Sequence, residues 1–168
     1  MLEAAHHDPT RLFIGVDPVA EAMSASANRA RREGVTNALF VVASIEGMPV
    51  ELDGVAEHIT VLFPWASLLD GVTRPNAETL AALARIARPD ATLEVLINRS
   101  ALRCDVDGLA QRYRAARIDV QRVEWVAQSR YRTTWGRRVT HRSDALHLRA
   151  RFATRERGSD QATGSESD

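Results

Sequence analysis

The chain has 168 residues, 45% of them hydrophobic, a single cysteine and no net charge, which bounds it to one domain with one core and excludes an internal disulfide. No apolar run nears 18 residues and the start, MLEAAHHDPTR, lacks the basic-then-apolar order of a signal peptide, so neither a membrane span nor export is expected and a reducing cytoplasm fits. The zero charge is an average: residues 1–98 carry −6, residues 99–157 carry 15 arginines against 6 acids, or +9, and residues 158–168 carry −3.

Residues 11–17, RLFIGVD, are apolar and β-branched and predict a short buried parallel strand stopped at Asp17–Pro18. Pro18 suits the first turn of a helix, expected over 18–33 and ended by Gly34 at C′. Ala38 to Val42 is a second strand, followed by the loop ASIEGMP. The third strand, 58–63, breaks at Pro64, exposes Trp65 in a turn and leads into Ala66, Ser67, Leu68 and Leu69. Residues 76–88 predict a helix with Asn76 as N-cap and Glu78 in its first turn, closed by Pro89–Asp90. Strand 91–98, a helix over 105–117 and strands 118–128 and 144–152 follow. Between the last two strands lies the basic stretch SRYRTTWGRRVTHRS, and residues 155–168 are polar enough to be a disordered tail. The order β-α-β-β-α-β-α-β-β argues an α/β fold, a doubly wound sheet with an antiparallel finish, over residues 1–154.

The chain has no lysine. Arginine alone as the base is explained either by the codon bias of a GC-rich genome on a solvated surface or by a phosphate-binding face. Asp17, between a strand and a helix, either accepts the two hydroxyls of a ribose or simply shapes the turn. Glu46 either borders an adenine or is a solvated glutamate. Trp65 and Trp135 both fall in expected loops, Trp135 among Arg132, Arg137, Arg138 and Arg142, where indoles suit stacking on nucleic-acid bases; Trp125 falls mid-strand and is expected in the core. Cys104 has no activating partner nearby in the sequence, and His6, His7 and His141 have no metal-ligand spacing. Neither a CxxC, an HExxH nor a GxSxG occurs.

Taken together, RLFIGVDP with Met23 following, ASIEGMP, HITVLFPWASLLDGV and TTWGRR resemble, in order and spacing over residues 8–152, the 16S rRNA (adenine-N1)-methyltransferases of aminoglycoside resistance. The resemblance implies a class I, Rossmann-like fold, S-adenosyl-L-methionine as cofactor and methylation of the decoding-site adenine of 16S rRNA in the 30S subunit by a cytoplasmic monomer that needs no metal. It implies that Asp17 binds the cofactor ribose, that Ile45 and Glu46 border its adenine, and that Pro64, Trp65 and Ser67 line the site. Trp135 would face Trp65 across the flipped adenine, and Arg137, Arg138 and Arg142 would grip rRNA phosphates. The family also has a first strand and a glycine-rich loop upstream of the segment matching Met1, so the fold is expected to be incomplete at its N-terminus, with a gap beside RLFIGVD. Two alternatives remain at this point. A class I methyltransferase for a small molecule would use Asp17 and Glu46 but not the arginines, and a remnant that binds RNA without turnover would use the arginines but not the cofactor. A dehydrogenase would account for Asp17 alone.

Overall fold

The structure, a computed structural model, describes residues 1–74, 77–102, 105–127 and 144–153. In chain order the elements are α1 (Leu2–His7), β1 (Phe13–Asp17), α2 (Ala20–Arg32), β2 (Ala38–Val42), β3 (Ala56–Leu62), α3 (Ala66–Thr73), α4 (Ala77–Ile86), β4 (Ala87–Asn98), α5 (Val106–Ala115), β5 (Ile118–Ala127) and β6 (Asp144–Phe152), with single 3-10 turns at Val50–Leu52 and Arg99–Ala101. The α/β alternation expected from the sequence is therefore present. The tail, 155–168, and the N-cap expected at Asn76 lie outside the described residues.

The strands form two hydrogen-bonded groups, the doubly wound sheet interrupted beside β1 as expected. β1 and β2 pair in parallel, Asp17 opposite Val42. The other four strands lie in the order β3-β4-β6-β5. β3 and β4 are parallel, and β6 runs antiparallel to both β4 and β5, which is the expected antiparallel finish. Among the described residues β1 has only β2 as a strand partner, so the expected gap beside it is present.

The main core lies on one face of the four-stranded sheet. Alternate strand residues, including Val61, Leu93, Val95, Leu146 and Leu148, meet Val72 of α3, Leu80 and Leu83 of α4, and Leu109 and Tyr113 of α5. Period-2 strands and period-3.6 helices each present one apolar face, and burying these faces against each other is the main stabilising term. A smaller cluster on the other face, Phe63, Leu96, Val126 and Ala145, sits where β3 ends. In the smaller unit, Ala30 of α2 and Ala5 of α1 are buried, and Nδ2 of Asn37 lies within 3.0 Å of the carbonyl oxygens of Ala5, Asp8 and Arg11, tying α1 to the start of β2.

Three boundaries differ from expectation. Pro18 stands outside α2, whose N-cap is Val19, because the Asp17 carboxylate holds the Val19 N–H in a tight turn first. At the other end Gly34, at φ +67, closes α2 as expected, with its N–H on Arg31 and that of Val35 on Ala30, the paired bonds of a Schellman cap. Pro89–Asp90 does not separate helix from strand. β4 begins at Ala87, and these residues form an irregularity between the Ala56–Ala87 and His58–Thr92 pairs, with Asp90 at φ +63. A proline is tolerated there because a bulge needs no ladder N–H. Finally, the segment after Trp65 is a helix, α3, rather than a turn.

His147 of β6 is 1% exposed. Its ring lies 3.7 Å from Glu94 and 3.9 Å from Glu124. Burial holds its imidazole below the ordinary histidine range despite the pull of Glu94. The unfolded chain therefore takes up this proton at higher pH than the folded one, so the contribution is complete above about pH 6.5 and is lost as pH falls below it. Denaturant midpoints measured from pH 8 to pH 5.5 should fall on the acid side, and His147→Gln should flatten that slope; an unchanged slope would remove His147 as its source.

Candidate functional site

The described candidate residues follow the carboxyl ends of the parallel strands β1, β2 and β3. In open α/β folds this is where side chains and backbone turn outward together and ligands bind. Asp17 ends β1 and is half-buried. Its Oδ1 accepts from the Val19 N–H at 2.8 Å, and among the described residues no bond is recorded to Oδ2. The turn-forming reading of Asp17 is thus correct for one carboxylate oxygen.

The loop after β2 is joined to the same edge, because the Ala43 N–H bonds the Asp17 carbonyl at 3.3 Å. Ile45 is half-buried and packs, with Met48 and Leu52, against the main core, whereas Glu46 is exposed. This alternation turns the Glu46 carboxylate outward from an anchored apolar base. The loop is also held from α4: Arg85 donates to Asp53 Oδ1 at 2.7 Å and to the Met48 carbonyl at 2.8 Å, and its own carbonyl accepts the Gly54 N–H at 2.9 Å. Nothing in the sequence singled out Arg85, since its partners lie more than thirty residues away.

At the end of β3 the backbone takes an unusual course. Phe63 (φ +51) and Ala66 (φ +50) are both left-handed and flank Pro64 and Trp65. For residues with a Cβ this region costs on the order of 1–3 kcal/mol each, and such strain persists where packing imposes it. Phe63 is buried in the smaller cluster and its N–H bonds the Leu96 carbonyl at 2.8 Å. Pro64 is buried too, and it fixes its own φ. The result is that Trp65, at the N-cap of α3, is 55% exposed, directed away from a core that would otherwise take an indole. Ser67, in the first turn of α3, is exposed.

Trp135, Arg137, Arg138 and Arg142 lie outside the described residues, as does Cys104. Their point of attachment is described. Ala127 ends β5, Asp144 begins β6, and the two are register partners. The adjacent pair Asn98–Ala145 places them at the carboxyl end of β4, one strand over from the Pro64–Trp65 turn. Trp125 is not a core residue as expected from its mid-strand position. A strand is only half buried near the end of a sheet, and Trp125 is 43% exposed with the Arg99 guanidinium 4.8 Å from its ring centroid. No group of three or more histidine, cysteine or acidic side chains suited to a metal occurs among the described residues, and no described helix is long and apolar enough to cross a membrane.

Comparison with known proteins bears on the family and the fold. The family model described as NpmA, 16S rRNA (adenine(1408)-N(1))-methyltransferase, matches residues 1–154. A protein of that name from Streptoalloteichus hindustanus is 31% identical over 170 residues, covering 88% of this chain and 78% of its own. One from Escherichia coli is 34% identical over 100 residues, covering 57% of this chain; the match spans 46% of that relative's length, less than half of it. Among solved structures, a variant of the 16S rRNA (adenine(1408)-N(1))-methyltransferase from Catenulisporales acidiphilia with cosubstrate SAM superposes with a TM-score of 0.82 at 30% identity, over 92% of this chain and 80% of that one. The antibiotic-resistance methyltransferase Kmr does so with a TM-score of 0.71 at 35% identity, over 89% and 79%. The two groups of strands described above thus form the α/β fold of these methyltransferases.

Proposed function

The chain belongs to the 16S rRNA (adenine(1408)-N(1))-methyltransferase family, and from that membership we propose that it methylates N1 of the decoding-site adenine of 16S rRNA in the 30S subunit, in the cytoplasm, and so confers aminoglycoside resistance. The observation that carries this reading is Trp65, an exposed indole held by a strained backbone at the carboxyl end of β3. An exposed tryptophan contributes little to folding, whereas an indole held in one orientation suits stacking on an extruded base.

The described residues after β1 and β2 fit the adenosine half of S-adenosyl-L-methionine. The Asp17 Oδ2 side is left for a ribose hydroxyl, Ile45 offers an apolar flank for adenine, and Glu46 is exposed beside it. When bound, the cofactor supplies an electrophilic methyl group on a positively charged sulfur. The chain's own part is to extrude, orient and hold. Adenine N1 attacks with an in-plane lone pair and carries no proton, so the reaction requires no general base. Pro64 and Ser67 bound the place where target and methyl group meet, and Trp65 holds the base in line for attack. Trp135 closes on the opposite face of the base, and the two indoles tolerate the positive charge that develops on the methylated ring. Arg137, Arg138 and Arg142 bind rRNA phosphates, making association salt-dependent. The attachment of their segment beside the β4 end supports this division of labour.

The test is primer extension on 30S subunits incubated with the protein and S-adenosyl-L-methionine. A new stop at the decoding-site adenine is expected. Its absence, with salt-sensitive RNA binding retained, would identify instead an RNA-binding protein without turnover. For the cofactor site, Asp17→Ala should weaken S-adenosyl-L-methionine binding about tenfold by calorimetry, the loss of roughly one charge-assisted hydrogen bond. An unchanged Kd would remove Asp17 from the site.

A further inference from the structure

Arg85 stands one residue before the end of α4 and reaches the loop between β2 and β3 at three points. Its Nη1 donates to Asp53 Oδ1 at 2.7 Å, its Nη2 donates to the Met48 carbonyl at 2.8 Å, and its own carbonyl accepts the Gly54 N–H at 2.9 Å. Among the described residues, the other hydrogen bonds of residues 44–55 stay within that stretch: the N–H groups of Gly47, Leu52, Asp53 and Val55 bond to Ser44, Pro49, Val50 and Leu52. The loop is therefore a string of tight turns. Turns fix a chain locally but not relative to the body it lies on.

Apolar packing of Ile45, Met48 and Leu52 seats the loop on the main core, but burial of apolar surface is non-directional. Direction comes from Arg85. The Arg85 and Asp53 side chains are 33% and 41% exposed, so their ion pair adds little to the stability of the whole chain. What it fixes is a course. The planar guanidinium holds an acceptor on either side of the Val50–Leu52 turn with separate nitrogens, a geometry that the single ammonium of a lysine does not reproduce. Ile45 and Glu46 directly precede Gly47 and Met48, so the anchored Met48 carbonyl decides where they stand.

We infer that Arg85 is a positioning residue for S-adenosyl-L-methionine. It holds the loop after β2 in the course that presents Ile45 and Glu46 to the adenine before the cofactor arrives. An ordered loop loses less freedom on association, and binding is tighter for that reason. This role rests on the reading of Ile45 and Glu46 as the adenine border, but the anchoring of the loop does not.

The test uses the full chain with Arg85→Ala, Arg85→Lys, Asp53→Ala and the double variant Arg85→Ala with Asp53→Ala. The first readout needs neither cofactor nor RNA: amide hydrogen exchange of residues 44–55, followed by mass spectrometry, with β4 as the internal control. Arg85→Ala should speed exchange in the loop about tenfold and leave β4 unchanged. Arg85→Lys should behave as Arg85→Ala. Asp53→Ala should speed it about threefold, because the bond to Met48 remains, and the double variant should go no further than Arg85→Ala, because partners in one contact are not additive. Asp53 is exposed, so its variant reports on the anchor even where Arg85→Ala disturbs α4. The second readout is affinity. The Kd for S-adenosyl-L-methionine by calorimetry should rise about tenfold in Arg85→Ala and about threefold in Asp53→Ala. In methylation kinetics the KM for S-adenosyl-L-methionine should rise in step, with kcat and the KM for 30S subunits within about twofold. Unchanged exchange in the single variants, a double variant well beyond Arg85→Ala or faster exchange throughout the chain would each overturn the anchor, the last by making Arg85 a stability residue. Faster exchange of the loop with an unchanged Kd would overturn the positioning role and leave the cofactor reading intact. A parent chain that binds no S-adenosyl-L-methionine would overturn the cofactor reading, and the positioning role with it.

Discussion

Replacing Trp65 by alanine is expected to lower methyl transfer to 30S subunits about 100-fold while leaving the fold and the cofactor affinity nearly unchanged. Base stacking on an aromatic side chain is worth roughly 1–3 kcal/mol, and about 2.7 kcal/mol corresponds to 100-fold in rate. The same indole is 55% exposed, so its removal takes little from the core. The melting temperature should move by no more than about 2–4 °C, the shift that accompanies roughly 1 kcal/mol in a chain of this size. Single-turnover methylation, circular dichroism and calorimetry with S-adenosyl-L-methionine separate the three quantities, and a loss of activity matched by a loss of fold would contradict the assignment. A companion substitution probes the strained turn. At Ala66, φ +50, glycine carries no Cβ penalty, so Ala66→Gly should raise stability by up to about 1 kcal/mol. If the strain serves to hold Trp65 in one orientation, the same variant should also lose turnover.

The second large effect is on stability, at Gly71 of α3. This glycine is buried, and a Cβ built on it would stand 2.8 Å from both Cβ and Cγ2 of Thr79 in α4, with the Thr79 hydroxyl nearer still. Thr79 is itself only 2% exposed, so it has nowhere to retreat. Gly71→Ala must therefore push α3 and α4 apart, and overpacking of this kind costs about 1–3 kcal/mol. The better helix propensity of alanine, worth about 1 kcal/mol, offsets only part of this. Because α3 begins after its N-cap Trp65, the displacement should reach the site: urea midpoints should drop and turnover should fall together, and Thr79→Ala in the same chain should restore only part of both, because it removes the Oγ1 and Cγ2 contacts but leaves the Cβ 2.8 Å away. A Gly71→Ala variant as stable as the parent would mean that the helices are not in close contact here.

The strands were legible wherever a single pattern governed them. Ala38–Val42 and Asp144–Phe152 are bounded as their apolar runs and alternation predicted, and Gly34 ends α2 because only its left-handed φ completes the cap. Boundaries failed where a tertiary pairing overrode a local signal, as at Pro89–Asp90, which a bulge against β3 absorbs within β4. Of the site only the location was legible: Asp17, Glu46 and Trp65 were marked by the strands they follow, Ile45, Pro64 and Ser67 only by the family resemblance, and the structure places Asp17 at the end of β1, Ile45 and Glu46 in the loop after β2, and Pro64, Trp65 and Ser67 in the turn and first helical residues after β3. Trp125 was misplaced because alternation tells which face a residue takes but not how near it lies to the rim of the sheet.

By itself, the sequence determined the α/β order, the carboxyl-edge location of the candidate residues and the separation of a basic second half from an acidic first. These follow from period, breakers and charge, which are properties of neighbours along the chain. Only the tertiary structure decided that Phe63 and Ala66 are forced left-handed around Trp65, that Arg85 anchors the Glu46 loop, and that Arg99 joins Trp125 to Asp144. Each of these depends on groups distant in sequence or on the packing around them, and no local pattern encodes such a meeting.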